Sequence, residues 1–231
     1  MASGNRSLPL ERIAAQTLGH YERNAESFWA GTRDHDVSQN RAALLDALGA
    51  GTPETGGRGP LRILDFGCGP GRDLIAFRAL GHEAVGLDGC AAFAEMARRH
   101  SGCDVLEQSF FALDLGRDRF DGVFANASLF HVPRSVLPRV LGQLFDALVE
   151  GGVLFCSNPR SFDVDSEGFN GDRFGCYLTM ESWGQIIARA GLVLERQFLR
   201  PSERPPEQQP WLAMSWRKPR VAVEHCNVDR G

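Results

Sequence analysis

The pattern of apolar and polar positions changes character near residue 61. Before it, apolar residues recur at helical spacing over Tyr21–Ala30 and Val37–Leu48, with Ser38 a candidate N-cap for the second helix. After it, short apolar runs alternate with amphipathic segments. Strands are predicted over Leu61–Phe66, Glu83–Leu87, Asp104–Glu107, Phe120–Ala125 and Val153–Ser157. Helices are predicted over Arg72–Leu80, Cys90–Arg99 and Ser135–Val149, the last ended by Gly151 and Gly152. A helix over Met180–Ala190, closed by Gly191, and strands over Leu192–Leu199 and Trp211–Trp216 complete the series. Repeated strand–helix units predict an α/β fold around a parallel, doubly wound sheet. The last two strands meet through the proline-rich stretch 201–210 without a helix, which predicts an antiparallel edge.

The pattern also predicts divisions. Residues 1–19 are expected to be a disordered N-terminus and 20–60 a helical lid and linker, with the glycine-rich Gly49–Pro60 as loop. Residues 61–218 form the main domain and 219–231 a tail. The polar stretch Asn158–Tyr177 reads as a long loop, and loops of that length inside a compact domain are usually functional or disordered.

The densest chemical signal is Leu-Arg-Ile-Leu-Asp-Phe-Gly-Cys-Gly-Pro-Gly, residues 61–71. Strand, glycine turn and helix in that order bring a ligand against the backbone at Phe66, Gly67 and Gly69. The next strand ends at Asp88, 19 residues past Gly69, where a carboxylate suits a ribose diol, and Gly89 permits close approach. The glycine spacing is not the G-x-G-x-x-G of dinucleotide sites, and Asp65 would repel a pyrophosphate. A cationic, phosphate-free cofactor fits better. Here the chain resembles motif I of the class I S-adenosylmethionine-dependent methyltransferases, D/E-x-G-x-G-x-G. That resemblance implies a Rossmann-like, mostly parallel sheet with an antiparallel edge strand, S-adenosyl-L-methionine as cofactor and S-adenosyl-L-homocysteine as product. It places Ser109 and Phe110 against the adenine.

Composition narrows the acceptor. Net charge is −4 and Lys218 is the single lysine, so no general attraction to nucleic acid is expected. No apolar stretch approaches the ~20 residues of a membrane span, and residues 1–10 lack a signal-peptide core, so a cytoplasmic protein is expected. The six cysteines show no C-x-x-C or zinc spacing and are expected as reduced thiols in packing roles. No metal role is expected. After the fourth strand comes Asn126-Ala127-Ser128-Leu129-Phe130-His131 rather than the D/N-P-P-Y/F of DNA N-methyltransferases, which points to a small-molecule acceptor.

Further blocks sharpen the resemblance: His35–Asn40, Ala125–Pro133, Ser157–Arg160, Gly168–Tyr177 and Gln208–Ala213. Together they resemble the C-terminal methyltransferase domain of the ovothiol-biosynthesis family, 5-histidylcysteine sulfoxide synthase, over roughly residues 20–218. The sulfoxide-synthase part, with its iron site and three-histidine motif, has no counterpart here, so a stand-alone methyltransferase is expected. The resemblance implies methylation of the imidazole Nπ of 5-thiohistidine, or of 5-selenohistidine in the ovoselenol route. It makes Asn126, His131 and Tyr177 the catalytic candidates. Cofactor candidates are Tyr21, Trp29, Arg33 and Asn126, beside Asp65, Gly67, Gly69, Asp88, Gly89, Ser109 and Phe110. Substrate candidates are His35, Asn158, Asn170, Arg173, Phe174, Tyr177 and Gln209, with Arg33 or Arg173 as the clamp for the substrate carboxylate. The bland alternatives are a packing role for His131 before Pro133 and burial of a helix face for Phe28 and Trp29.

Overall fold

The computed structural model describes residues 9–50 and 58–220. The expected disorder of residues 1–8, most of the Gly49–Pro60 loop and the tail beyond residue 220 lie outside the described residues. The chain runs α1 (Leu10–Arg23), α2 (Ala25–Thr32), α3 (Ser38–Leu48), β1 (Arg62–Phe66), α4 (Arg72–Ala79), β2 (Glu83–Asp88), α5 (Ala91–Ser101) and β3 (Asp104–Glu107). It continues through β4 (Phe120–Asn126), α6 (Leu137–Ala147), β5 (Leu148–Pro159), β6 (Ser166–Asn170), β7 (Arg173–Tyr177), α7 (Met180–Arg189), β8 (Val193–Arg200) and β9 (Trp211–Arg217).

A seven-stranded sheet has the order β3-β2-β1-β4-β5-β9-β8. Strands β1 to β5 pair in parallel, while β9 pairs antiparallel with both β5 and β8. The expected antiparallel edge is thus present, with the reversed strand one place in from the border and β8 outermost. Alternation along the strands splits the core into two faces. Leu64 and Phe66 of β1 join Val140, Leu144 and Trp183 of α6 and α7, whereas Ile63 joins Leu44, Phe77 and Ala94 of α3, α4 and α5. Helix α6 meets the sheet through Leu137, Val140, Leu141 and Leu144, all fully buried and spaced for one helical face.

Four expectations need correction. Residues 10–19 are helical rather than disordered, because Leu10, Ile13, Thr17 and Tyr21 repeat at helical spacing and Ile13 (3% exposed) packs on the main core. The stretch 158–177 is not a loop: β5 runs to Pro159, and β6 and β7 form a hairpin with Phe169 opposite Phe174. Gly151 and Gly152 lie within β5 rather than ending α6, which stops at Ala147. Ser38 is the first residue of α3 rather than its cap: Val37 holds the N-cap position, and Asp36 Oδ1, one residue earlier, accepts the Ser38 N–H at 2.8 Å.

The N-terminal helices form a lid. Tyr21, Phe28 and Trp29 pack against Phe93 and Met96 of α5, so α1 and α2 lie across the carboxyl ends of β1 and β2.

Candidate active site

At the carboxyl ends of the parallel strands, where open α/β sheets place their ligands, a cavity of about 780 Å³ opens under the lid. Of the candidates, it is lined by Tyr21, Trp29, His35, Gly67, Gly69 and Asp88, and by Gly89, Ser109, Phe110, Asn126, His131 and Arg173.

The glycine turn is shaped by backbone, and its N–H groups are already engaged. Gly67 and Cys68 both donate to the Leu87 carbonyl (2.8 and 3.1 Å), and Gly71 donates to the Cys68 carbonyl at 3.1 Å. The Gly69 N–H donates to Asp88 Oδ2 at 2.9 Å. The N–H groups of Gly67, Cys68, Gly69 and Gly71 are thus not free to cradle a pyrophosphate. Instead the turn leaves close-approaching, uncharged backbone. At Gly67 (φ +79°) a Cβ would sit 2.4 Å from the Ser128 Cβ, so only glycine fits. Facing it, Ala127 holds a left-handed φ of +60° right after β4, a strained turn of the kind that gathers at functional sites.

Asp88 closes β2. Its Oδ1 accepts the Cys90 N–H at 2.9 Å, and its Oδ2 holds Gly69. Each oxygen keeps a further lone pair, which suits a vicinal diol. Burial lifts its carboxyl to about 6, opposed by the Cys90, Gly69 and Gly89 N–H groups. Phe110, stacked on Phe66 at 4.3 Å, makes the flat wall beside it. These features fit an adenosyl group.

Asp65 does not line the cavity: it is 2% exposed behind the turn. Burial, with the Asp73 carboxylate nearby, pushes its carboxyl well above the usual range, while Arg72 and Arg41 oppose. Asp73 itself takes hydrogen bonds from Arg41 Nη1 and Arg72 Nη2, each at 2.6 Å.

Across the cavity, His131 ends a short 3-10 turn, Leu129–His131. Its Nδ1 lies 2.6 Å from the Phe174 carbonyl, which only accepts, so Nδ1 carries the proton. Nε2 then accepts from the Tyr21 hydroxyl at 2.9 Å. Burial drives the imidazole down to about 4, which keeps it neutral. Asn126 accepts from Asn40 Nδ2 at 2.9 Å through Oδ1, and its own amide donors have no protein partner among the described residues.

Six further candidates stand away from the cavity. Arg33 is exposed and pairs with Asp34 at 3.2 Å. Asn170 is exposed at the turn of the β6–β7 hairpin. Phe174 is buried, and its carbonyl rather than its ring serves the site. Tyr177 stands behind Phe130, with ring centroids 6.2 Å apart. Asn158 is fully buried in β5, and Gln209 is buried with its amide donating to the Arg204 carbonyl. Conversely, Thr17, Phe28, Arg72, Phe130, Arg200 and Trp211 line the cavity and escaped the sequence reading as site residues. Thr17 lies at helical spacing from Ile13 and Tyr21, and Trp211 lies in the Gln208–Ala213 block, but nothing local marks Arg200.

Among the described residues no helix is long and apolar enough to cross a membrane, and no cluster of three or more His, Cys, Asp or Glu is placed to hold a metal ion.

Known proteins bear on these features. The chain is 37% identical over 103 residues to a trans-aconitate 2-methyltransferase of Variovorax paradoxus, covering 42% of this chain and 38% of that one. It is 33% identical over 111 residues to a ubiquinone biosynthesis O-methyltransferase of Dinoroseobacter shibae, covering 44% of each. These matches span about two-fifths of the curated relatives' length. In fold it resembles the 1,6-didemethyltoxoflavin-N1-methyltransferase of Burkholderia thailandensis, solved with S-adenosylhomocysteine, at TM-score 0.76 and 22% identity over 95% of this chain and 94% of that one. A family model for the methyltransferase domain matches residues 29–230, and the chain therefore belongs to that family, the S-adenosylmethionine-dependent methyltransferases of class I fold.

Proposed function

We propose that the protein transfers a methyl group from S-adenosyl-L-methionine to the imidazole Nπ of 5-thiohistidine or 5-selenohistidine, forming ovothiol A or ovoselenol. The alternative acceptor is another small imidazole, amine or thiol. The observation that carries the reading is the wall opposite the glycine turn. Its histidine, His131, is held neutral by burial and oriented by the Tyr21 hydroxyl and the Phe174 carbonyl. A neutral ring nitrogen has its lone pair at pH 7 and needs orientation more than a strong base. Small-molecule acceptors are also what the names of the relatives indicate.

Bound S-adenosylmethionine supplies an electrophilic sulfonium methyl. The residues do the positioning. Gly67 and Gly69 allow the donor's close approach, Asp88 accepts the ribose hydroxyls, and Phe110 flanks the base. The amide of Asn126 donates to the acceptor. His131 acts as a positioning residue that fixes the Tyr21 hydroxyl. With α1 and α2 packed over the cavity, water would be excluded and the acceptor held for transfer, a task dominated by positioning. Of the two clamp candidates, Arg33 pairs with Asp34 outside the cavity, and Arg173 lines it from the exposed hairpin.

The test is a parallel assay of 5-thiohistidine, 5-selenohistidine, histidine and an unrelated imidazole thione with S-adenosylmethionine. Mass spectrometry should locate a new methyl on Nπ of a 5-chalcogenohistidine, formed faster than any product from histidine. Equal or absent turnover of the 5-chalcogenohistidines would reject this acceptor.

A further inference from the structure

Three arginines line the cavity: Arg72, Arg173 and Arg200. Arg72 is committed, with Nη2 on Asp73 and Nη1 on the Thr32 carbonyl at 3.2 Å. Neither Arg173 nor Arg200 has a carboxylate within 4.0 Å among the described residues. Arg173 is exposed on the hairpin, and Arg200 is half-buried at the end of β8.

The surroundings of Arg200 form a built wall. It stands opposite Trp211 across the β8–β9 pair, and Trp211 stands opposite Pro159 at the end of β5. Trp211 meets Phe130 edge to face, with centroids 6.5 Å apart at 89°. With its amide oriented to suit its neighbours, Gln39 accepts from Arg200 Nη2 at 2.6 Å and Nε at 3.1 Å. That contact holds one edge of the guanidinium and leaves the end-on edge, Nη1 with Nη2, for a ligand. The Asp36 and Glu203 carboxylates act on Arg200 through space, and neither comes within 4.0 Å of it; Asp36 Oδ1 accepts the Ser38 N–H. A pre-oriented planar fork beside two aromatic rings matches a flat ring that carries a carboxylate.

We propose that Arg200, with Phe130 and Trp211, is the binding wall for the acceptor, Arg200 taking its carboxylate and the rings flanking its planar heterocycle. This rests on the cavity being a methyl-transfer site with a small acceptor, and not on that acceptor being a histidine derivative. Gln39 is the positioning residue for the fork.

The test uses the protein saturated with S-adenosylhomocysteine and two probes, imidazole-4-acetate and imidazole-4-acetamide, titrated by calorimetry. The wild type should bind the acetate at least about tenfold more tightly than the amide. Arg200→Gln should abolish that preference, and Arg200→Lys should keep part of it. Affinity for S-adenosylhomocysteine should stay within about twofold in all variants, which also confirms that they fold. The proposal is overturned if the wild type shows no preference, or if the preference survives Arg200→Gln. It is equally overturned if S-adenosylhomocysteine binding falls along with it, because Arg200 would then hold the donor's own carboxylate. If the preference behaves as expected while 5-chalcogenohistidines are not methylated, the histidine assignment alone fails.

Discussion

The Tyr21 hydroxyl donates to Nε2 of His131 at 2.9 Å, joining residues 110 positions apart across the roof of the cavity. The same end of α1 reaches the hairpin, where the Phe174 N–H donates to the Thr17 hydroxyl at 3.0 Å. With the Phe174 carbonyl on Nδ1 of His131, these bonds tie the lid, the turn after β4 and the hairpin into one unit.

Tyr21→Phe removes the donor and leaves Nε2 unpaired. One such bond contributes about 1 kcal/mol, which corresponds to roughly 2–4 °C in melting temperature for a chain of this size. Turnover should fall further than affinity for S-adenosylhomocysteine, because the aromatic packing of Tyr21 on Phe93 survives the substitution. Thermal melts and steady-state kinetics together check this; an unchanged melting temperature and kcat would mean that the latch is not closed in solution.

The neutral state of His131 has a pH signature. Its imidazole sits at about 4 in the folded protein, against about 6.5 unfolded. Between those values the unfolded chain binds the extra proton, so stability is complete above the window and lost as pH falls through it, by up to about 1.4 kcal/mol per pH unit. Asp88, raised from 3.8 to about 6, acts oppositely over all but the top of the window. The difference between wild type and His131→Asn isolates the histidine. Urea unfolding from pH 7 to pH 4 should show the gap between the two narrowing as pH falls. A constant gap would mean a charged or solvated imidazole.

Asp88 controls the cofactor in turn. Only the ionised carboxylate can accept both ribose hydroxyls, so S-adenosylhomocysteine affinity should be flat above pH about 6 and fall below it. The loss should approach tenfold per pH unit, the limit for one competing proton. Asp88→Ala should raise the dissociation constant at least about tenfold. It should also remove the acid limb. Calorimetry at pH 5, 6 and 7 reads both effects; an acid limb that persists in the variant would assign it to another group.

How legible this site was follows the range of its interactions. Asp65, Gly67, Gly69 and Asp88 belong to one strand–turn–helix–strand unit, so their spacing alone located the turn and the ribose acid. The pairing of Tyr21 with His131 depends on α1, whose helical spacing over Leu10, Ile13 and Thr17 is short and lies beside a polar terminal segment that reads as disordered. The tautomer of His131 depends on the Phe174 carbonyl, which belongs to a hairpin whose glycines and polar residues read as loop. Arg200 and Trp211 meet only through the β8–β9 register, a long-range pairing that no local pattern states. Tyr177 and Asn170 belong to the Gly168–Tyr177 block, which reads as a site loop, yet the hairpin it forms puts Tyr177 beside Phe130 outside the cavity and Asn170 at an exposed turn.

The two glycines of the turn should separate folding from binding. Gly67 has φ +79°, and a Cβ there would come within 2.4 Å of the Ser128 Cβ and 3.2 Å of the Phe110 Cζ. Gly67→Ala must therefore displace the strained turn at Ala127 and Ser128 as well as carry a left-handed residue. Overpacking of this kind costs about 1–3 kcal/mol, added to roughly 1–2 kcal/mol for the backbone. At Gly69 (φ +52°) the added methyl would meet only Phe28 Cε1, at an ordinary 3.7 Å. Gly69→Ala carries the backbone term alone, but its methyl points across the cavity toward the lid and narrows the donor's path. Gly67→Ala should thus lose several degrees of melting temperature without ligand. Gly69→Ala should lose less, yet show a smaller rise on adding S-adenosylhomocysteine than the wild type. Melts with and without that ligand decide it: equal unliganded stability of the two variants would contradict the Gly67–Ser128 contact, and a full ligand-induced rise in Gly69→Ala would remove Gly69 from the cofactor wall.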